Sequence, residues 1–270
     1  TADQLMRGTA DAAQLQEVDI ADLLGRDEIA PDEKLLYQDI KGRNILVTGA
    51  GGSIGSELCR VILRDSPKIL VLLELNEFSL YHAERTFRNL SSIPIVPCLG
   101  SVQDSELVKH LLHDHQINTV YHAAAYKHVP LVEENPLQGL RNNALGTQSL
   151  VEKCIEADVS SFVLISTDKA VRPTNVMGAS KRIAEMIVQD AARRFPENKM
   201  GIVRFGNVLD SSGSVVPLFR EQIKKRMPIT VTHPEITRYF MSIGEAARLV
   251  IQAGAMSKNG EVFMLDMGSP

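Results

Sequence analysis

From residue 44 onward, short apolar runs alternate with longer stretches of helical character. The runs cover 45–48, 69–73, 95–99, 119–123, 162–166 and 202–204. Strands covered on both faces read as such runs, and the segments between them are long enough to supply covering helices. The pattern predicts an α/β fold, a Rossmann-type doubly wound parallel sheet. Residues 1–42 break it, being polar and acidic with scattered leucines (Leu15, Leu23, Leu24, Leu35, Leu36), which predicts one or two short helices and a linker through Pro31. After Asn207 the chain turns richer in Gly, Ser and Pro, in SSGSVVP and then TVTHPEITRYF. Three parts are therefore expected: a helical extension (1–42), a sheet domain (43–206) and a smaller, incomplete lobe (207–270), with the site in the cleft between the last two.

The first predicted strand runs straight into Gly49, Gly52, Ser53, Ile54 and Gly55, ahead of a helix expected from about Ser56. Glycines at that GxxGxxG spacing permit a tight turn and let backbone amides approach a pyrophosphate, while the helix N-terminus supplies positive potential. Glu74 ends the second strand, where dinucleotide folds hold an acid that accepts hydrogen bonds from ribose hydroxyls. A carboxylate there repels the extra phosphate of NADP, and no arginine stands beside it, so NAD is expected over NADP. Ser101 and Val102 follow the third strand, placed to flank adenine. Ala123, Ala124 and Ala125 follow the fourth and are small enough for the backbone to press on the dinucleotide.

Composition narrows the classes. The chain has 270 residues, 44% apolar and 23% charged, with a formal net charge of -4 and a sequence pI near 6.0, which argues against a nucleic-acid binder. Cys59, Cys98 and Cys154 are odd in number and far apart, so neither a disulfide framework nor a metal site is expected. His122, His128 and His233 lack ligand spacing and read as structural. No apolar stretch approaches the ~20 residues of a membrane helix. The chain starts at Thr1 without Met and stops at Gly268, Ser269, Pro270, and it reads as a piece of something longer.

From about residue 44 to 268 the sequence closely resembles the membrane-type UDP-N-acetylglucosamine 4,6-dehydratases of bacterial polysaccharide and glycan synthesis. The resemblance rests on NILVTGAGGSIGSELCR, HAAAYKHVPL, STDKAVRPTNVMGASKR, VRFGNVL, GSVVPLF and THPEITRYFM, in that order. It implies a UDP-N-acetylglucosamine substrate and NAD as cofactor. It also implies membrane helices ahead of this region, placement on the cytoplasmic face of the bacterial inner membrane and, by analogy with the fold, a homo-oligomer. Lys127, Asn207 and Thr230 match positions that contact the nucleotide sugar; Asn76, Asn143 and Val208 join the cofactor set, with Lys181 on the nicotinamide ribose.

In the wider superfamily a helix after the fifth strand carries YxxxK, whose lysine lowers the pKa of a tyrosine base. Here the matching residues are Met177 and Lys181, and a thioether can neither take nor give a proton at neutral pH. The resemblance assigns the elimination to Thr167, Asp168 and Lys169 instead. Hydride would leave sugar carbon 4, and the ketone would acidify the proton on carbon 5. Lys169 would remove that proton while Asp168 protonates the departing hydroxyl of carbon 6, and the hydride would return to carbon 6. Lys169 needs a lowered pKa for this and Asp168 a raised one. The carbon 4 hydroxyl proton falls to Asp168 or to Thr167. Two departures from the family pattern stand out: Asp210 replaces a glycine, and Lys225, Arg226 and Met227 replace a glycine-rich turn. The alternatives are a nucleotide-sugar 4-epimerase and a non-catalytic NAD-binding regulator on the same fold.

Overall fold

The computed structural model describes residues 24, 26–209, 211, 213–231, 233 and 235–268. Leu15, Leu23 and Asp210 lie outside them. The described elements are α1 (Glu33–Ile40), β1 (Asn44–Thr48), α2 (Ser53–Arg64), β2 (Ile69–Glu74), α3 (Glu77–Leu90), β3 (Ile95–Leu99), α4 (Ser105–Asp114), β4 (Thr119–His122), α5 (Val129–Glu134) and α6 (Pro136–Leu140). A π-turn at Arg141–Leu145 leads into α7 (Gly146–Glu156), then β5 (Ser161–Thr167), a 3-10 turn at Asp168–Ala170, α8 (Val176–Arg194) and β6 (Lys199–Phe205). The small lobe contributes β7 (Asn207–Val208), α9 (Val215–Lys224) and β8 (Phe240–Met241), before α10 (Ile243–Met256) and β9 (Asn259–Met264).

The main sheet has seven strands in the order β3-β2-β1-β4-β5-β6-β9, and every pairing in it is parallel. The order reverses between β1 and β4, which opens a crevice at their carboxyl ends. Side chains alternate between two buried layers, as the pleat requires. Ile45, Val47, Leu70, Leu72, Tyr121, Val163 and Ile165 pack with α1, α2, α3 and α10. Their neighbours Leu46, Val71, Leu73, Val120, Phe162 and Leu164 pack with α4, α7 and α8. This two-sided burial is why the central runs lack polar alternation.

The sheet domain extends at both ends beyond the span expected from composition. Leu36 and Ile40 of α1 join the core, so the last part of 1–42 is structural. At the other end, α10 and β9 return from the small lobe, and β9 becomes the seventh strand beside β6. Fully buried Glu245 on α10 accepts the two terminal Arg26 guanidinium nitrogens, Nη1 and Nη2, at 2.9 and 3.0 Å and the Ile29 amide at 2.9 Å, which fixes the approach to α1. The small lobe proper, among the described residues, is the parallel β7–β8 pair with α9. No helix of the described residues is long and apolar enough to cross a membrane.

Candidate active site

The carboxyl ends of β1 and β4 open into a cleft of about 810 Å3. Gly49 adopts φ +67, and a Cβ on it would stand 2.7 Å from the Ala124 amide nitrogen. A Cβ on Gly55 would stand 2.0 Å from the Gly49 carbonyl oxygen, so the turn closes only without side chains. Helix α2 starts at Ser53, three residues before the expected start. Its N-cap is Gly52, which offers no side chain to cap the first turn, and that turn lines the cleft with Gly49, Gly51 and Gly52. A helix N-terminus left open by a glycine cap suits an anion.

Glu74 stands where the sequence places it, but it also braces the loop. Its Oε2 accepts the Gly51 amide and its Oε1 the Asn76 amide, each at 3.0 Å. Asn76 in turn caps α3 by accepting the Ser79 amide at 2.9 Å. Ser101, Val102, Ala123, Ala124 and Ala125 all line the same cleft. The far wall, including Leu131, Val132, Gln138 and Asn142, is supplied by α5, α6 and the π-turn; of these only Leu131, at the end of HAAAYKHVPL, falls in a motif quoted above. Asn143 lines neither this cleft nor the cavity beyond it. Fully buried, it donates to the Tyr126 carbonyl and to Ser180 Oγ and accepts the Tyr126 amide, so it pins the loop after β4 to α8. His122 is buried between Thr48 and Thr147 hydroxyls at 2.7 and 2.9 Å. Burial, and then the Lys181 cation, push its pKa down to about 3, which fits the structural role expected of it.

A second cavity of about 300 Å3 continues from the first, the two sharing Ile54, Ala123, Ala125, Tyr126, Lys127 and His128. Thr167, Lys169, Met177, Lys181, Asn207 and Val208 line it. Asp168 stands at its edge: a Cβ on Gly206 would lie 3.5 Å from Asp168 Oδ2. Asp168 Oδ1 accepts the Thr167 hydroxyl at 2.8 Å and Lys169 Nζ at 3.1 Å, with both charged side chains partly open to solvent. Burial lowers the pKa of Lys127. Thr230 does not reach either cavity; its hydroxyl and amide engage Gln222 of α9 at 2.9 and 3.1 Å. Gly178, which the sequence did not single out, lets the first turn of α8 rest on the 168–170 turn, since a Cβ there would meet the Lys169 carbonyl oxygen at 2.3 Å. Among the described residues no cluster of His, Cys, Asp or Glu could hold a metal. The three cysteines are free, and burial raises the pKa of each.

Lys181 is 5% exposed, and burial, opposed by Glu185, draws its pKa from 10.5 to about 8. Because the folded value lies below the unfolded one, the buried ammonium destabilises the fold below pH 8, and the penalty fades as pH rises from 8 to 10.5. That displacement corresponds to about 3 kcal/mol. Lys181→Met is therefore expected to melt higher than the parent at pH 7, with the two melting curves converging by about pH 10.5. A difference that does not change with pH would mean that the lysine carries no buried charge.

The order of the strands, the glycine turn and the acid at the end of β2 define a Rossmann-type, doubly wound domain. More particularly, the model of a family described as "Polysaccharide biosynthesis protein" matches residues 45–270, and the chain belongs to that family. It is 49% identical to the capsular polysaccharide biosynthesis protein CapD of Staphylococcus aureus, over 99% of this chain and 45% of that protein. It thus spans about half the length of that relative. It is also 33% identical to a UDP-N-acetylglucosamine 4,6-dehydratase (inverting) of Campylobacter jejuni, over 82% of this chain and 66% of that protein. A UDP-glucose 4-epimerase of Rickettsia canadensis is 33% identical as well, over 82% of this chain and 65% of that protein.

Proposed function

We propose that the protein catalyses the NAD-dependent 4,6-dehydration of UDP-N-acetylglucosamine to a UDP-4-keto-6-deoxy sugar, in a longer protein held at the cytoplasmic face of a bacterial inner membrane and assembled as a homo-oligomer. The observation that carries the reaction is the contact of Lys169 with Asp168 at 3.1 Å beside a cavity where Met177 stands in place of a tyrosine base.

The first cleft suits a nicotinamide dinucleotide: the glycine turn leaves room that any Cβ would fill, and Glu74 keeps lone pairs for ribose hydroxyls beyond the two amides it accepts. Its negative charge favours NAD over NADP. When bound, that cofactor accepts hydride from the sugar and later gives it back. The chain's own groups then handle protons. The ion pair of Lys169 and Asp168 differs from the pair of free amine and carboxylic acid by one proton moved across the 3.1 Å contact. The neutral amine of Lys169 can take the carbon 5 proton, and the acid form of Asp168 can give a proton to the leaving hydroxyl of carbon 6. Thr167, already donating to Asp168, orients that carboxyl, and either of the two can relay the carbon 4 hydroxyl proton. Lys181 holds the ribose side of the cavity, Lys127 offers a cation to the diphosphate, and Asn207 meets the sugar.

Epimerisation at carbon 4 is the second reading, favoured by the relative of that name. It needs no acid beside the lysine. Incubating the protein with NAD and UDP-N-acetylglucosamine in heavy water separates the two. Loss of one water with deuterium at carbon 5, seen by mass spectrometry and NMR, is the result expected. An unchanged mass with inversion at carbon 4 replaces the proposal by the second reading, and bound NAD without turnover overturns both.

A further inference from the structure

Beneath the second cavity one carboxylate gathers donors from three elements that carry its lining. Glu185 lies on α8 one turn beyond Lys181 and is fully buried. Its Oε1 accepts Ser166 Oγ at 2.6 Å and Arg204 Nε at 2.7 Å, and its Oε2 accepts Arg204 Nη2 at 2.5 Å and Arg182 Nη1 at 3.0 Å. Four donors saturate a carboxylate. Ser166 directly precedes Thr167, Asp168 and Lys169 at the end of β5. Arg204 lies near the end of β6, just before Gly206 and Asn207, and Arg182 neighbours Lys181. Burial alone would raise the pKa of Glu185, but the bonds from Arg204, Ser166 and Arg182 outweigh it and hold the group ionised.

We infer that Glu185 is a positioning residue for the reaction: it locks the ends of β5 and β6 to the first turns of α8, so that Lys169, Asn207 and Lys181 face one another at fixed separations. A tie made only for folding has no reason to converge on the three segments that carry these side chains. The charged and titratable groups around Glu185 and Lys181 are Arg182 on their own helix, Arg204 from β6, His122 from β4, uncharged at neutral pH, and the Asp168–Lys169 pair beyond β5. The inference rests on the dehydratase reading only in its turnover assay.

Two variants test it. Glu185→Gln removes the charge and sets an amide donor against guanidinium donors, whereas Ser166→Ala cuts only the link to β5. In protein carrying 13C at the lysine ε-carbons, NMR is expected to place the Lys181 midpoint about one unit lower in Glu185→Gln, an opposite charge one turn away having been removed. Turnover of UDP-N-acetylglucosamine per folded molecule should fall on the order of 100-fold, the scale of a misplaced reacting group, with KM little changed. Ser166→Ala should keep the parent Lys181 midpoint, lower kcat by roughly tenfold, and speed amide hydrogen exchange at 167–169 by a similar factor. A lower melting temperature with parent-like Lys181 midpoint, kcat and exchange would make Glu185 a folding residue only and overturn the inference. If Glu185→Gln does not fold, Ser166→Ala decides through kcat and exchange. If the parent protein turns over no UDP-N-acetylglucosamine, the functional reading fails by itself, and the lysine midpoint and the exchange rates still decide the role of Glu185.

Discussion

Lys169→Met is expected to leave NAD binding intact while stopping exchange of the carbon 5 proton with solvent, and to lower turnover by about two to four orders of magnitude, the usual contribution of a positioned acid or base. The thioether keeps much of the lysine's length and apolar bulk but offers no lone pair that takes a proton at neutral pH. It also deprives Asp168 of the ammonium 3.1 Å away, leaving the Thr167 hydroxyl at 2.8 Å as its remaining named donor. Deuterium incorporation at carbon 5, followed by NMR on the recovered sugar nucleotide, is the direct measurement. Exchange at the parent rate would remove Lys169 from the base role. Cofactor affinity measured on the same sample guards against a general disruption, because Lys169 lines the second cavity and not the glycine-turn cleft.

The second large effect is expected at a residue that has no titrating side chain of its own, Gly178. Adding one methyl there would place a Cβ 2.3 Å from the Lys169 carbonyl oxygen, 3.1 Å from its carbon and 3.2 Å from Pro173 Cβ. Backbone cannot yield as a flexible side chain can, so the 168–170 turn must move away from α8. Gly178→Ala is expected to cost about 1–3 kcal/mol of stability, as overpacking does. Turnover should drop on the order of 100-fold, because the displaced atoms carry the Asp168–Lys169 pair. NAD affinity should change little. Thermal melts and kcat on the same preparation check both halves. Full activity would mean that the turn tolerates displacement and that the Lys169 backbone position is not critical.

What could be read from the sequence was local. The six apolar runs match six of the seven main strands because a buried parallel strand must be apolar on both faces, and the glycine turn was legible because only glycine closes it at φ +67 or with backbone 2.0 Å away. The position of Glu74 was legible because it ends the second strand of the unit that the glycine turn opens, and that unit follows a fixed geometry. The seventh strand escaped, since Asn259–Met264 is an edge strand with mixed burial, and α10 was grouped with the small lobe by its neighbours' composition. Only the tertiary structure decided that Asn143 seals a loop instead of lining the cleft, that Thr230 turns to Gln222, and that Glu185 meets Ser166, Arg182 and Arg204. The last of these depends on the register of β5 against β6 and on how α8 docks across them. Propensity and periodicity act over a few residues. The partner a buried polar group finds is set by segments that are distant in the chain, brought together when the whole sheet buries its two faces.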